Sequence, residues 1–491
     1  MTDSRYHAGP ANPGLDARTV RSFVNEAGER IDYEARVRLI DVPTSAEDLR
    51  PVGHASVTSF VRLFDGRPKA DRPVLAMFNG GPIVASTALL LSGIGPVRAS
   101  FSEDLDRGMH GPFTLEDSPS SILTDCDLLV MDAIGCGYGY YEPEVDIASK
   151  YTCREDARQF AEALATWLVL EGRESSPVTV LGESYGTVRA PLMARALLDA
   201  TALPVAVSGI VLMGTTTNIQ EVHDRRRSVL GPVSSLPLMA AVAWYHGKGS
   251  AGASDWREAV EQARDYAYGP YLHAMAMGSR LPQAEREAVA AKLAEISGLD
   301  AGLWLRNRLN ISKDSFRSLL LKDEGKTLGV YDGRYTAPVT SGETADPSDL
   351  RVVGTLGVCA HRFYNDMLGV DRAATRVEAP GDAWSAWDWS VGGPSDSVPD
   401  GAHKSPFDEF DYAGPLEYCL NQIDGCRLMV ANGCYDTITT VGASDALIAS
   451  MDVCEDQVDQ RIYPAGHMTY SDRASGVALN HDLAAFVRPR G

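Results

Sequence analysis

The chain has 491 residues, of which 45 are Lys or Arg and 66 are Asp or Glu, leaving a formal charge of −21. A surface that acidic repels phosphate backbones and anionic lipid, so nucleic-acid and membrane-surface binding are excluded as first readings. The composition, 44% hydrophobic and 23% charged, is that of a globular protein. At ~150 residues per domain the length allows about three units, or one large α/β domain with an insertion.

The N-terminal Met1-Thr2-Asp3-Ser4-Arg5 lacks the apolar core of a secretory signal, and a cytoplasmic protein is expected. The longest apolar runs, such as residues 236–244 with Pro237 inside, fall well short of the ~18 residues of a spanning helix. Between residues 19 and 214, strand-length runs alternate with helical ones. Residues 74–78, 128–131, 178–181 and 210–213 are unbroken apolar or β-branched runs. Such runs, without alternation, suit strands buried on both faces of a parallel sheet. Residues 154–171 place Ala157, Phe160, Ala161, Leu164, Trp167 and Leu168 at helical spacing before Gly172, which predicts a crossover helix. An α/β class follows from the alternation.

From residue 215 to 325 the strand signal disappears, and helices are predicted over 238–246, 256–266, 284–296 and 315–321. A helical block inserted in such a chain is expected to cap the C-terminal edge of the sheet; an independent helical domain is the alternative. Residues 346–400 are least legible, with Trp384, Trp387 and Trp389 among Gly, Pro and Ser. Strands return at 427–431 and 461–463, and residues 477–487 close the chain as a helix. The expected division is therefore 1–214 as the first part of the core, 215–400 as cap and irregular segment, and 401–491 as the second part. Eight cysteines lie between Cys126 and Cys454 without a C-x-x-C pair, so free thiols are expected and no metal. Cys419 and Cys426 are the pair close enough in sequence to bridge a loop.

Gly182-Glu183-Ser184-Tyr185-Gly186 directly follows the strand at 178–181 and precedes a helical run. This G-x-S-x-G sits in its required context, strand, tight turn and helix, which lifts the serine to the open top of the sheet. Pro191 soon afterwards predicts a kink or a restart of that helix. A serine needs a base and a carboxylate to fix the base's tautomer, in the order Ser, acid, His. Asp436, just after the strand at 427–431, and His467, just after the last strand, occupy such positions. His481 falls in a helix, His403 in an irregular loop, and Asp445 in the helix after Asp436. Taken singly, His467 reads equally as a loop histidine and Asp436 as a cap or turn residue. The oxyanion donors would be the Tyr185 N–H and a second N–H from Asn79-Gly80-Gly81-Pro82, which follows the strand at 74–78. That tetrapeptide reads equally as an ordinary turn. Gly135-Cys136-Gly137-Tyr138-Gly139 does not make a nucleotide loop, since no G-x-G-x-x-G follows.

Together Asn79-Gly80-Gly81-Pro82, Gly182-Glu183-Ser184-Tyr185-Gly186, Asn432-Gly433-Cys434-Tyr435-Asp436 and Ala465-Gly466-His467-Met468 resemble the motifs of the serine carboxypeptidases, in order and approximate spacing. Val130-Met131-Asp132 running into Gly137-Tyr138-Gly139 is similar to a further segment of that family. The resemblance extends from about residue 57 to the end and is greatest to the bacterial members. It implies an α/β-hydrolase fold: a mostly parallel sheet, helices on both faces, an inserted helical cap and no cofactor. It implies Ser184 as nucleophile, Asp436 and His467 as its partners, and Gly81 and Tyr185 as the oxyanion hole. Asn79, Gly80 and Glu183 would lie where the family grips a peptide's terminal carboxylate.

Two departures bear on that grip. Ile83 and Val84 follow the Gly-Gly-Pro where the family has Gly and small polar residues. Secreted members share a proton between the carboxylate matching Glu183 and a second glutamate before a Gly-Pro pair; here that position is Gly93, ahead of Gly95-Pro96. Glu183 is then expected to be ionised over more of the working pH range, with weaker preference for free C-termini and a less acidic optimum. Alternatively it merely braces the Asn79 loop. The reading is a serine acyl hydrolase acting on peptides with a free C-terminus. The alternative with the same triad is an acyltransferase or esterase in small-molecule biosynthesis, and the third is a non-catalytic binding protein on the same fold. Peptide or small acyl substrates are the expected partners, and the oligomeric state is left open.

Overall fold

The computed structural model describes residues 12–45, 47–105, 111–199, 201, 203–225, 227–250, 252–340, 346–380, 383–391 and 410–488. Nine strands form the spine: β1 (Asp16–Val24), β2 (Arg30–Pro43), β3 (Pro51–Arg62), β4 (Val74–Phe78), β5 (Asp127–Met131), β6 (Val178–Glu183), β7 (Val207–Met213), β8 (Arg427–Gly433) and β9 (Val458–Tyr463). Their order across the sheet is β1-β2-β3-β5-β4-β6-β7-β8-β9, with the short Tyr140–Tyr141 strand beside β3. From β5 to β9 every pairing is parallel, while β1 to β3 add an antiparallel flank. β4 and β5 are buried at every position, as the apolar runs 74–78 and 128–131 demand.

Helices α1 (Cys153–Leu170), α2 (Gly186–Asp199) and, much later, α8 (Gly414–Gln422) cover one face of the sheet. The inserted block comprises α3 (Leu230–Tyr245), α4 (Trp256–Tyr266), α5 (Gln283–Ser297) and α6 (Lys313–Leu319), packed on one another in a core of their own. α7 (Pro347–His361) and α10 (Arg473–Val487) cover the second face, and α9 (Val441–Ser450) follows β8. α1 begins on Thr152, whose hydroxyl accepts from the Glu155 N–H at 3.1 Å, and ends at Gly172 in the left-handed region.

Three expectations change. The helix after the nucleophile turn does not restart at Pro191 but continues through it. Proline has no N–H to give the Thr187 carbonyl, and the Thr217 hydroxyl donates to it instead at 2.8 Å. The stretch 215–400 divides: α7 and the turns after it pack against Phe60 and Val130 of the main sheet, not on the inserted helices. The insertion is also not wholly helical, since Lys326–Leu328 pairs with Thr336–Pro338 as a small hairpin. All eight cysteines, Cys419 and Cys426 included, are free thiols. Among the described residues no helix is long and apolar enough to cross a membrane.

Candidate active site

The nucleophile turn is forced by sterics. Ser184 has φ +58°, left-handed backbone that costs a non-glycine residue about 1–3 kcal/mol. A Cβ on Gly182 would fall 1.9 Å from the Gly186 carbonyl oxygen, so only glycine lets β6 fold back into α2 this tightly. The Ser184 N–H donates to the Met213 carbonyl of β7 at 2.9 Å, and its own carbonyl accepts from the hydroxyls of Thr187 (2.7 Å) and Thr216 (3.0 Å). Ser184 is half-buried, between fully buried neighbours.

His467 lies on the same edge. A Cβ on Gly214, the residue after Met213, would stand 3.0 Å from the His467 ring, so this backbone runs directly against the imidazole. His467 Nδ1 is 2.8 Å from Asp436 Oδ2, and both side chains are buried. Asp436 Oδ1 accepts from the N–H groups of Ile438 (2.8 Å) and Thr439 (2.9 Å), which fix the carboxylate's rotation. The Thr439 hydroxyl contacts both Asp436 Oδ2 and His467 Nδ1. Burial pulls the His467 pKa down, but attraction and hydrogen bonding from Asp436, with a further contribution from Glu183, raise it overall.

The prospective donors meet between two loops. A Cβ on Gly80 would lie 2.4 Å from the Tyr185 nitrogen, which brings the loop after β4 into backbone contact with the nucleophile turn. Neither the Gly81 nor the Tyr185 N–H has an acceptor among the described residues. Arg189 of α2 holds this loop from beneath, donating to the carbonyls of Asn79 and Pro82 at 2.7 Å each. Its guanidinium also pairs with Asp156 of α1 at 2.7 Å, and the Tyr185 hydroxyl donates to the same carboxylate at 3.2 Å. The Tyr185 ring is met edge-on by Trp387 (5.5 Å) and Trp389 (5.6 Å).

Glu183 is sealed in, 2% exposed. Asn79 Nδ2 donates to its Oε2 at 3.0 Å, and the Tyr470 hydroxyl donates to Oε2 at 2.8 Å and to Oε1 at 3.2 Å. Burial pushes its pKa up to about 7, against the pull of His467 and the Tyr470 and Asn79 bonds. Burial is the chief influence raising it, as expected of a carboxyl without a second glutamate beside it, and the Asp436 charge adds to the rise. Gly93 does not face Glu183; the atoms nearest its missing Cβ are those of Arg98 and Ser118. Tyr470, Arg189 and Thr439 escaped sequence reasoning. Of these, only Tyr470 had a local signal, three residues beyond His467 in the same turn.

The inserted block touches both partner loops. Lys313 Nζ donates to the Ile438 carbonyl at 2.7 Å, and Arg317 donates to the Thr437 hydroxyl at 3.1 Å. The tip of the small hairpin reaches His467, whose N–H donates to the Tyr331 carbonyl at 2.7 Å, with the two rings 5.8 Å apart. Of the rejected candidates, His481 pairs with Glu26 on the surface and Asp445 binds Arg264. His403 lies outside the described residues.

This geometry can be set beside known proteins. The family model described as serine carboxypeptidase matches residues 60–248, a stretch that holds the Asn79 loop and the nucleophile turn. That match supports a serine hydrolase. Among solved structures it is similar to Kex1(delta)p, a prohormone-processing carboxypeptidase from Saccharomyces cerevisiae, at 14% identity. That match covers 92% of this chain and 91% of the other, with a TM-score of 0.52. A proline iminopeptidase from Mycobacterium smegmatis matches at 11% identity over 92% of this chain and 97% of the other, with a TM-score of 0.37. No curated protein matches. The fold is that of the α/β-hydrolases.

Proposed function

We propose that the chain removes residues from the free C-terminus of peptides through an acyl-enzyme on Ser184. His467 takes the serine proton as the hydroxyl attacks the scissile carbonyl, while Asp436 fixes the Nδ1–H tautomer and stabilises the imidazolium. The Gly81 and Tyr185 N–H groups receive the oxyanion. His467 then protonates the departing amine, and water completes the cycle by the same route. Asn79, Gly80 and Glu183 hold the leaving residue's carboxylate. The observation that carries this reading is the buried, protonatable Glu183, hydrogen-bonded to Asn79, one residue before the nucleophile. A protonated carboxyl can donate to a substrate carboxylate, which an ionised one would repel.

A second reading, acyl transfer to an amine or alcohol or simple ester hydrolysis, is favoured by the partners of Glu183: among the described residues its hydrogen bonds come from Asn79 and Tyr470 and not from a second carboxyl. Labelling of Ser184 by a fluorophosphonate tests the nucleophile. Turnover of peptide acids against activated acyl donors offered with amines then separates the two readings. Release of the C-terminal residue is expected; acyl-amine products without it would overturn the peptidase reading. We infer a reducing, cytoplasmic setting from eight free cysteines, seven of them buried.

A further inference from the structure

The Glu183 carboxyl is enclosed by groups from several elements. Asn79 comes from the loop after β4, Tyr470 from the turn after His467, and His467 and Asp436 from the ends of β9 and β8. Tyr331, on the hairpin tip, has its own hydroxyl pushed up in pKa, chiefly by burial, with the Glu183 charge contributing. Tyr470 is 1% exposed, and its pKa is raised well above 10, first by burial and then by Glu183. It therefore stays a neutral O–H donor throughout the working range.

A phenol and a second carboxyl act oppositely on such a group. Two carboxyls share one proton and make the second ionisation harder, whereas a donated O–H stabilises the ionised form. We propose that Tyr470 is a specificity-determining residue: its O–H, donated to Glu183, sets how far up the pH scale that carboxyl keeps the proton with which it holds a free C-terminal carboxylate. The proposal rests on the carboxylate-binding role of Glu183 given above. Against burial, which keeps the proton on, Tyr470 works to release it. Its removal is therefore expected to strengthen discrimination at neutral pH, the reverse of what loss of a merely structural contact would do.

The experiment measures kcat/KM for a matched peptide acid and peptide amide across pH ~5 to ~9 in the unsubstituted protein, Tyr470→Phe and Glu183→Gln. Titration of His467 acts on both substrates and divides out of the acid-to-amide ratio. The ratio should fall with rising pH, and its midpoint should move up by about one to two pH units in Tyr470→Phe, the size of one hydrogen bond to a carboxylate. Glu183→Gln should abolish the pH dependence. An unmoved midpoint in Tyr470→Phe overturns the role of Tyr470 alone. A ratio independent of pH in the unsubstituted protein, or one unaffected by Glu183→Gln, overturns the underlying reading of Glu183. Difference infrared spectra of the unsubstituted protein need no folded variant at Tyr470. A tyrosine ring band that shifts with the Glu183 carboxyl band is expected, and carboxyl titration without any tyrosine change overturns the proposal.

Discussion

Replacing Arg189 with methionine tests whether the oxyanion loop is held by charge from below. The substitution keeps a long apolar side chain but leaves Asp156, 4% exposed, with only the 3.2 Å bond from Tyr185. Removing one partner of a buried ion pair costs about 3–5 kcal/mol. The Asn79 and Pro82 carbonyls lose their Arg189 donors as well, at roughly 1–3 kcal/mol each when buried. The low ends of these ranges already reach about 5 kcal/mol, a large part of the ~5–15 kcal/mol of a typical fold. Urea unfolding should therefore show a severe loss in Arg189→Met. Adding Asp156→Asn removes the stranded charge and should restore part of that stability. It cannot restore the grip on Asn79 and Pro82, so kcat on an activated ester should stay about 10²–10³ below native, the deficit of one misplaced oxyanion donor. Native kcat in the double variant would refute the brace. A loss under ~1 kcal/mol in the single variant would refute the ion-pair arithmetic.

Ser184→Ala and His467→Ala should each lower kcat by about 10³–10⁶, and the double variant by little more, because the pair acts as a unit; steady-state rates with a labelled ester decide this. Activity needs neutral His467, and its pKa is raised overall, so the acidic limb of kcat/KM for an amide or ester should lie above the ordinary ~6.5. A limb at or below ~6 would contradict the His467–Asp436 pairing as the dominant influence. Gly80→Ala places a methyl where the Tyr185 nitrogen stands 2.4 Å away; kcat should fall by at least about 10² while secondary structure by circular dichroism is kept.

What the sequence made legible follows from the range of each interaction. The central strand β4 announced itself because burial on both faces leaves no polar position from Val74 to Phe78. Asp436 and His467 were placed by strand ends, a local signal that the fold converts into a 2.8 Å contact. Tyr470 was not, since its bond to Glu183 joins residues 287 apart. Nor was the continuity of α2 through Pro191, which depends on a hydroxyl from Thr217, outside that helix. Trp387 and Trp389 looked like loop residues, yet they close over the Tyr185 ring, a contact no periodicity encodes.

The fasteners between the inserted block and the partner loops bear on how such a chain can diversify. Lys313, Arg317 and Tyr331 tie the block to Ile438, Thr437 and His467. A lineage that exchanged the block wholesale for another would unfasten two of the three segments that carry Ser184, Asp436 and His467. Innovation is then channelled into side chains facing the cleft, with the anchoring positions constrained together. The insertion is less a replaceable module than a keystone, and its history should be read as coupled to that of the loops beneath it.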